Sequence, residues 1–157
     1  MNPPLRMRED VEGLLDGLKS GAIDCIASDH APHEADSKNV EFARATNGII
    51  GLQTTLPLTL AQVRAGRISL SRAIEAMSTS AARCFNLSLG TLRKGSPADI
   101  VLIDLNRELT LDAAAVQSKS KNSPFFGWKL QGFAVRTFVA GREVYAPNEL
   151  KTGKSGF

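Results

Sequence analysis

The chain has 157 residues, of which 43% are hydrophobic and 22% charged, and its 19 basic and 16 acidic side chains leave a formal net charge of +3. This composition is typical of a globular protein and excludes a collagen-like, wholly disordered or disulfide-scaffold chain. The mixed charges do not favour nucleic-acid binding, and no apolar run reaches the roughly 18 residues that predict a membrane span. The opening residues also lack the pattern of a signal peptide, so we expect a cytoplasmic protein.

The first half of the chain alternates apolar segments with polar loops. Three segments are predicted to be helical. Apolar residues recur at helical spacing in the first and, after the capping Ser69, in the third, and Pro57 suits the first turn of the second. These predicted helices lie at residues 8–19, 52–65 and 69–85. Between the first two, the apolar run at residues 23–28 predicts a buried strand, and the polar stretch at residues 34–47 predicts a mobile loop.

The pattern changes near residue 90, where strand signals replace helical ones. Apolar, β-branched runs predict strands at residues 99–105 and 134–145. Gly141 and Arg142 divide the second run, so we expect a hairpin with its tight turn at these two residues. Cys25 and Cys84 form no close pair along the sequence, and both are predicted to be buried free thiols in a reduced compartment.

A polar cluster follows the predicted strand at residues 23–28. The sequence DHAPH at residues 29–33 holds one carboxylate and both histidines of the chain, Asp29, His30 and His33. A carboxylate at the carboxyl end of a strand can bind a metal and accept a proton. A polar loop with a capping aspartate and surface histidines explains the same residues, and zinc needs three or four protein ligands. Further ligands must therefore come from elsewhere, or the cluster is not a metal site.

Two weaker signals flank this cluster. Asn2 and Arg6, in the opening loop, could bind an anionic or amide-bearing ligand, although an ordinary exposed loop also explains them. Asn47 and Gly48 precede a glycine-rich turn, whose backbone N–H groups could face a ligand. A turn that serves packing alone is the alternative for this second signal.

Taken together, five segments of the chain resemble the C-terminal third of bacterial dihydroorotases, in the order and at about the spacing of that family. They are MNPPLR at residues 1–6, DHAPH at 29–33, NGIIGLQT at 47–54, GSPADIVL at 95–102 and SKSKNSPF at 118–125. The resemblance covers residues 1 to about 146. The first two segments together are specific, whereas the segment at residues 95–102 is found across the wider amidohydrolase superfamily.

The resemblance implies an α/β fold, the C-terminal part of a metal-dependent (β/α)₈ barrel joined to part of a small β-sandwich. A complete barrel takes about 250 residues, so this chain can hold only its last part. We therefore expect the last strands and helices of the barrel, with active-site loops, at residues 1–89. A β-rich extension is expected at residues 90–147 and a frayed tail at residues 148–157.

The resemblance also assigns roles to five residues. Asp29 matches a metal ligand that acts as general acid and base, Asn2 and His33 match substrate-binding positions, and Asn47 and Gly48 match a main-chain substrate contact. The implied reaction is the reversible, zinc-dependent cyclisation of N-carbamoyl-L-aspartate to (S)-dihydroorotate in pyrimidine (UMP) biosynthesis. One or two Zn²⁺ ions are implied, and their other ligands match positions that this chain does not contain, so we expect the chain alone to be inactive.

Two other functions fit the same motifs. Hydantoinases and allantoinases share the Asp-His start of residues 29–33 but generally not the second histidine. A non-catalytic relative that serves as a scaffold for aspartate transcarbamoylase is the other alternative, and the retention of Asp29 and His33 argues against it. The expected partners are a small-molecule substrate and a homodimer or an aspartate transcarbamoylase complex, with no nucleic acid and no membrane.

Overall fold

A computed structural model describes residues 3–147, in which a helical first half is followed by a three-stranded antiparallel sheet. The helices are α1 (Arg8–Ser20), α2 (Ala35–Lys38), α3 (Thr55–Arg64), α4 (Leu70–Ile74) and α5 (Ser80–Cys84), with a 3₁₀ turn at Phe42–Arg44 and a π-helical turn at Glu75–Thr79. The strands are β1 (Ile100–Thr110), β2 (Lys129–Val139) and β3 (Arg142–Tyr145). Within the described part of the chain no helix has the length and hydropathy needed to cross a membrane.

Helix α1 confirms the first predicted helix and supplies one core residue. The carboxylate of Asp10 accepts the backbone N–H of Met7 at 3.2 Å at its start, and Gly21, in the left-handed region with φ 85°, ends it. Leu18 is buried with Ile68, Ala73 and Ala76, while Val11 and Leu14 are exposed. The helix therefore contributes its last turn, rather than its whole apolar face, to the first hydrophobic cluster.

The predicted strand at residues 23–28 is wrong for the described chain. Ile26 donates its backbone N–H to the carbonyl of Ala76 at 3.0 Å, and the first ladder contact comes later, as a single parallel bridge between His30 and Ile49. A strand is defined by backbone pairing with a neighbouring strand, and none is present beside this segment within residues 3–147. The apolar side chains of Ile23 and Ile26 still pack on the first cluster.

Helix α3 and the run from α4 through α5 confirm the helices predicted at residues 52–65 and 69–85. Ser69 is the N-cap of α4, since its hydroxyl oxygen accepts the backbone N–H of Arg72 at 3.1 Å. The Arg72 guanidinium donates to the carbonyl oxygens of Leu18, Ile23 and Asp24 at 2.7, 2.6 and 3.2 Å. This one side chain therefore holds the segment after α1 against α4.

The sheet contains the predicted hairpin, but the turn lies one residue earlier in the chain than predicted. Ala140 and Gly141, with φ 49° and 77°, form the turn between β2 and β3, rather than Gly141 and Arg142. A two-residue hairpin turn with both central residues at positive φ matches the twist of the strands, which explains the shift. Strand β1 also runs past residue 105, because a bulge between Asp104 and Glu108 lets pairing with β2 resume.

A second hydrophobic cluster joins the helical half to the sheet. Ile50, Leu111, Val116 and Leu130 are buried together. Helix α3 packs on β2 so closely that a Cβ added at Gly132 would lie 2.4 Å from the Leu60 side chain. Ile50 of this cluster directly follows Ile49, which pairs with His30, so the cluster supports the region where the sequence predicts a site.

Candidate active site

Asp29 lies in an unusual backbone conformation, at φ 44°, in the left-handed region. Such conformations are uncommon outside glycine, although aspartate tolerates them better than most residues, and they are enriched at functional sites. The residue is exposed. Its carboxylate has no hydrogen bond or ion pair to any other residue of the described chain, so it is available to a ligand, a metal or a proton.

His30 has a structural role. Its Nδ1 accepts the backbone N–H of Gly51 at 3.1 Å, and the next residue, Ala31, donates its N–H to the Ile49 carbonyl at 2.9 Å. Because Nδ1 accepts this hydrogen bond, its lone pair is occupied and is not available to a metal. The two histidines of the loop therefore separate in role, with His30 fixing the glycine-rich turn against the loop.

His33 and Gly48, two residues predicted to contact substrate, lie side by side in the structure. Gly48 has φ 104°, and a Cβ added to it would lie 3.4 Å from Nε2 of His33 and only 2.5 Å from Cβ of Ala31. Only glycine allows this close approach. The ring nitrogens of His33 form no hydrogen bond with other described residues, so the half-buried imidazole can bind a ligand beside the Gly48 backbone.

The carbonyl of Gly48 is held from two directions. Lys38 donates its Nζ to this oxygen at 2.7 Å and also to the Thr46 carbonyl, and the Nδ2 of Asn122 donates to the Gly48 oxygen at 3.3 Å. The Gly48 N–H has no acceptor among residues 3–147, and it is the backbone donor beside His33. The polar stretch at residues 34–47, which the sequence predicts to be a mobile loop, contains α2, a 3₁₀ turn and Lys38, which binds the Gly48 carbonyl.

Asn122 was missed as a functional residue by the sequence reasoning. Its Nδ2 also donates to the Ala31 carbonyl at 2.9 Å, and its Oδ1 accepts the backbone N–H of His33 at 3.3 Å. The Asn122 carbonyl accepts the N–H of Ile50 at 3.1 Å. No local pattern predicts contacts to residues so far back in the chain, and only the resemblance of residues 118–125 marked the segment.

The other predicted site residues are less well defined. Asn47 is exposed, with no side-chain hydrogen bond to the described residues, and it lies beside Gly48 along the chain. Arg6 is also exposed. Asn2 lies outside the described residues. The structure therefore joins His33 and Gly48 in one place, with Asp29 four residues before His33 on the same loop.

The residues present fit one position of a zinc site. Asp29 offers a free carboxylate, which is an ordinary zinc ligand. No group of three or more His, Cys, Asp and Glu side chains within residues 3–147 could hold a metal ion. A complete zinc site therefore needs ligands that these residues do not supply.

A second polar cluster lies around Glu75, away from the DHAPH loop. The Glu75 carboxylate pairs with Arg72 at 3.1 Å and with Arg83 at 2.7 Å. Hydrogen bonds from Arg72 and then Arg83 lower the pKa of Glu75 from its ordinary value of 4.5. Both arginines and Glu75 line an open cavity of about 600 Å³ together with Asp24.

Cys84 lies on the wall of the same cavity and is exposed, so the prediction that both cysteines are buried is wrong. Cys84 is at the end of α5, where the helix leaves its side chain open to solvent, and Cys25 is half-buried. Partial desolvation, followed by the negative charge of Asp24, raises the pKa of the Cys84 thiol. The Cys25 thiol also contributes to the raised pKa of Cys84, although the two cysteines are far apart along the sequence.

Known proteins are similar in sequence to most of this chain. The profile described as "Amidohydrolase family" matches residues 2–144. Proteins named dihydroorotase from Geobacter sp. (strain M21) and Syntrophotalea carbinolica are 50% and 52% identical over 145 residues, 92% of this chain. Those residues are 34% of each relative, so the chain spans about a third of the length of the curated relatives it matches.

Solved structures of hydantoinases are similar in fold. The L-hydantoinase (dihydropyrimidinase) from Arthrobacter aurescens superposes with a TM-score of 0.85 at 37% identity, covering 92% of this chain and 33% of that one. The D-hydantoinase (dihydropyrimidinase) from Thermus sp. gives 0.84 at 30% identity, covering 93% and 33%.

Proposed function

The chain belongs to the amidohydrolase family, and from that premise we propose that it forms the C-terminal part of a dihydroorotase. The reaction is the reversible cyclisation of N-carbamoyl-L-aspartate to (S)-dihydroorotate in pyrimidine biosynthesis. The observation that carries the proposal is the contact between His33 and the Gly48 backbone. His33 lies four residues after Asp29, whose carboxylate has no partner in the described chain. The identity of about 50% to proteins named dihydroorotase supports the same reaction.

Each of these groups has a task that suits this substrate. Dihydroorotate carries a carboxylate beside a cyclic amide, and the His33 imidazole and the Gly48 N–H are hydrogen-bond donors for such oxygens. Asn2 and Asn47 are the further proposed substrate contacts. Asp29 is the acid and base, holding the proton that the ring nitrogen gains when the amide opens and loses when it closes.

Zinc is the proposed cofactor, as one or two ions, with Asp29 contributing one ligand. When bound, the ion polarises the amide carbonyl and lowers the pKa of a bound water. The remaining ligands would come from residues outside this chain, which fits relatives that are about three times as long. The chain alone is therefore expected to bind no zinc stoichiometrically and to show no turnover.

The fold proposed for the whole enzyme is a (β/α)₈ barrel with a small β-sandwich. Residues 1–89 would belong to the barrel and residues 90–147 to the sandwich. The expected tail at residues 148–157 lies outside the described residues. A cytoplasmic location and a homodimer or a complex with aspartate transcarbamoylase are part of the same proposal.

A hydantoinase-type reaction is the second candidate, favoured by the TM-score of 0.85 to an L-hydantoinase. The two reactions differ in the substrate carboxylate, which hydantoin and dihydrouracil lack. The identity of 37% to that hydantoinase is lower than the identity to dihydroorotases, so the dihydroorotase reaction is preferred. A non-catalytic scaffold is disfavoured, since Asp29 and His33 both remain free to react or bind.

A chimeric enzyme tests the proposed function. The chain would replace the 145 matched residues of the Geobacter sp. (strain M21) dihydroorotase, and hydrolysis of dihydroorotate, dihydrouracil and hydantoin would be compared. Dihydroorotate should be the best substrate by kcat/KM. The substitution Asp29→Ala should lower kcat by about 10²–10⁴-fold, because it removes the proton-transfer group.

Asp16→Ala, an exposed aspartate on α1, is the matched control and should leave kcat unchanged. A chimera that hydrolyses hydantoin better than dihydroorotate would replace the first candidate with the second. Near wild-type turnover of Asp29→Ala would remove the role assigned to Asp29.

A further inference from the structure

We propose that Asn122 is a positioning residue that sets the distance between His33 and the Gly48 backbone, and thereby the affinity for substrate. The proposal rests on the proposed function of these two residues as substrate contacts. Asn122 lies in the loop between β1 and β2, outside the DHAPH loop and the glycine-rich turn. Its contacts reach both of these segments.

The side-chain amide of Asn122 both donates and accepts hydrogen bonds. Nδ2 donates to the carbonyls of Ala31 at 2.9 Å and Gly48 at 3.3 Å, and Oδ1 accepts the His33 N–H at 3.3 Å. Donor and acceptor are both required, so a residue with only one of them cannot replace these contacts.

The same residue also holds the turn after Gly48 through its backbone. Its carbonyl accepts the Ile50 N–H at 3.1 Å, a contact that survives side-chain substitution. The side chain can therefore be changed while the loop of Asn122 stays docked beside the second hydrophobic cluster. This separation makes the positioning role testable apart from the packing role.

The side-chain hydrogen bonds of Asn122 all go to the protein's own backbone, at Ala31, His33 and Gly48. Its effect must pass through His33 and Gly48. A loss of ground-state contacts raises KM more than it lowers kcat, whereas a residue that acts on the chemical step lowers kcat. The expected signature is therefore a change in KM.

Asn122→Asp in the chimera is the first test, since it keeps the size and Oδ1 but turns a carboxylate oxygen toward two carbonyls. KM for dihydroorotate should rise about tenfold to a hundredfold, with kcat lowered less than about threefold, from the loss of one or two hydrogen bonds. Asn122→Ser gives the same readout with a neutral side chain if the aspartate variant does not fold. The matched control is Asn106→Asp, on an exposed part of β1, which should leave KM unchanged.

A double-variant cycle tests whether Asn122 acts through His33. His33→Ala and Asn122→Asp combined should raise KM by less than the product of their separate effects, because the two share one interaction. A lowered kcat at unchanged KM, a fully multiplicative KM, or an equal effect of Asn106→Asp would overturn the proposal.

Amide hydrogen exchange separates failure of this inference from failure of the proposed function. In the chain itself, Asn122→Asp should speed exchange in residues 28–36 and 46–52 by about tenfold and leave residues 100–110 unchanged. Unchanged exchange in the first two segments overturns the positioning role whatever the chimera does. An unsubstituted chimera that does not turn over dihydroorotate, with exchange changed as expected, would leave the anchor in place and remove the dihydroorotase reaction.

Discussion

Gly48→Ala should lower the free energy of unfolding more than Gly95→Ala does, and it should also disturb the candidate site. Gly48 combines a φ of 104° with a close approach, since the added Cβ would lie 2.5 Å from Cβ of Ala31. Gly95, with φ 90°, is the matched control, because a Cβ added there would have no heavy atom within 4 Å. Both substitutions place an L side chain in a disfavoured backbone region, and only one also creates a clash.

The two costs can be estimated separately. A left-handed backbone costs alanine about 1–2 kcal/mol at either position. At Gly48 the two carbon atoms must also move apart by about 1 Å to reach ordinary van der Waals contact. Overpacking of this kind costs about 1–3 kcal/mol, so Gly48→Ala should lower the free energy of unfolding by about 2–5 kcal/mol.

Urea unfolding of the chain, followed by circular dichroism, would measure both variants. Combining Gly48→Ala with Ala31→Gly removes the clashing atom and should recover the overpacking part of the loss. In the chimera, Gly48→Ala should raise KM because the same displacement moves His33. Equal losses for Gly48→Ala and Gly95→Ala, with no recovery in the double variant, would refute the close approach.

Two further predictions concern the cluster around Glu75. Arg72 and Arg83 lower the pKa of Glu75 in the folded chain below its ordinary value of 4.5. The ionised Glu75 carboxylate therefore stabilises the fold fully above pH 4.5, and this stabilisation is lost as the pH falls through the lowered pKa. Glu75→Gln should therefore lower Tm at pH 6 but little at about pH 3, as measured by thermal unfolding across this range. The raised pKa of Cys84 should make its thiol react slowly with iodoacetamide at pH 8 despite its exposure, and Asp24→Asn should speed this reaction, as measured by mass spectrometry.

Each of these two predictions has a matched control. Glu41→Gln changes an exposed glutamate whose carboxylate has no hydrogen bond or ion pair within the described residues, and it should not alter the pH dependence of Tm. Asp16→Asn, on α1, should not alter the alkylation rate. A pH profile of Glu75→Gln parallel to the wild type, or an unchanged rate in Asp24→Asn, would contradict the respective electrostatic argument.

Local signals in the sequence predicted the elements that local interactions form. Ser69 caps α4 through its own hydroxyl, and α1 covers the residues 8–19 whose apolar side chains recur at helical spacing. The run at residues 23–28 predicts a strand only because it is apolar. Strand formation depends on a partner, which an apolar run cannot specify, so that prediction failed.

The residues of the candidate site also differ in whether a local signal in the sequence marks them. Asp29, His33 and Gly48 are close along the chain to recognisable turns, and both the residue types and the resemblance pointed to them. Asn122 is separated from His33 by 89 positions, and its role appears only when the loop between β1 and β2 is docked. No property of the residues around Asn122 encodes that distance.

That separation sets when the site can form during synthesis. A ribosome adding about 5–20 residues per second needs roughly 4–18 s to travel the 89 positions from His33 to Asn122. Through that interval α1, α3 and the run from α4 through α5 can already be made, while the DHAPH loop and the glycine-rich turn lack the anchor that joins them. A nascent chain stopped before Asn122 should therefore acquire its helices without the paired geometry of His33 and Gly48.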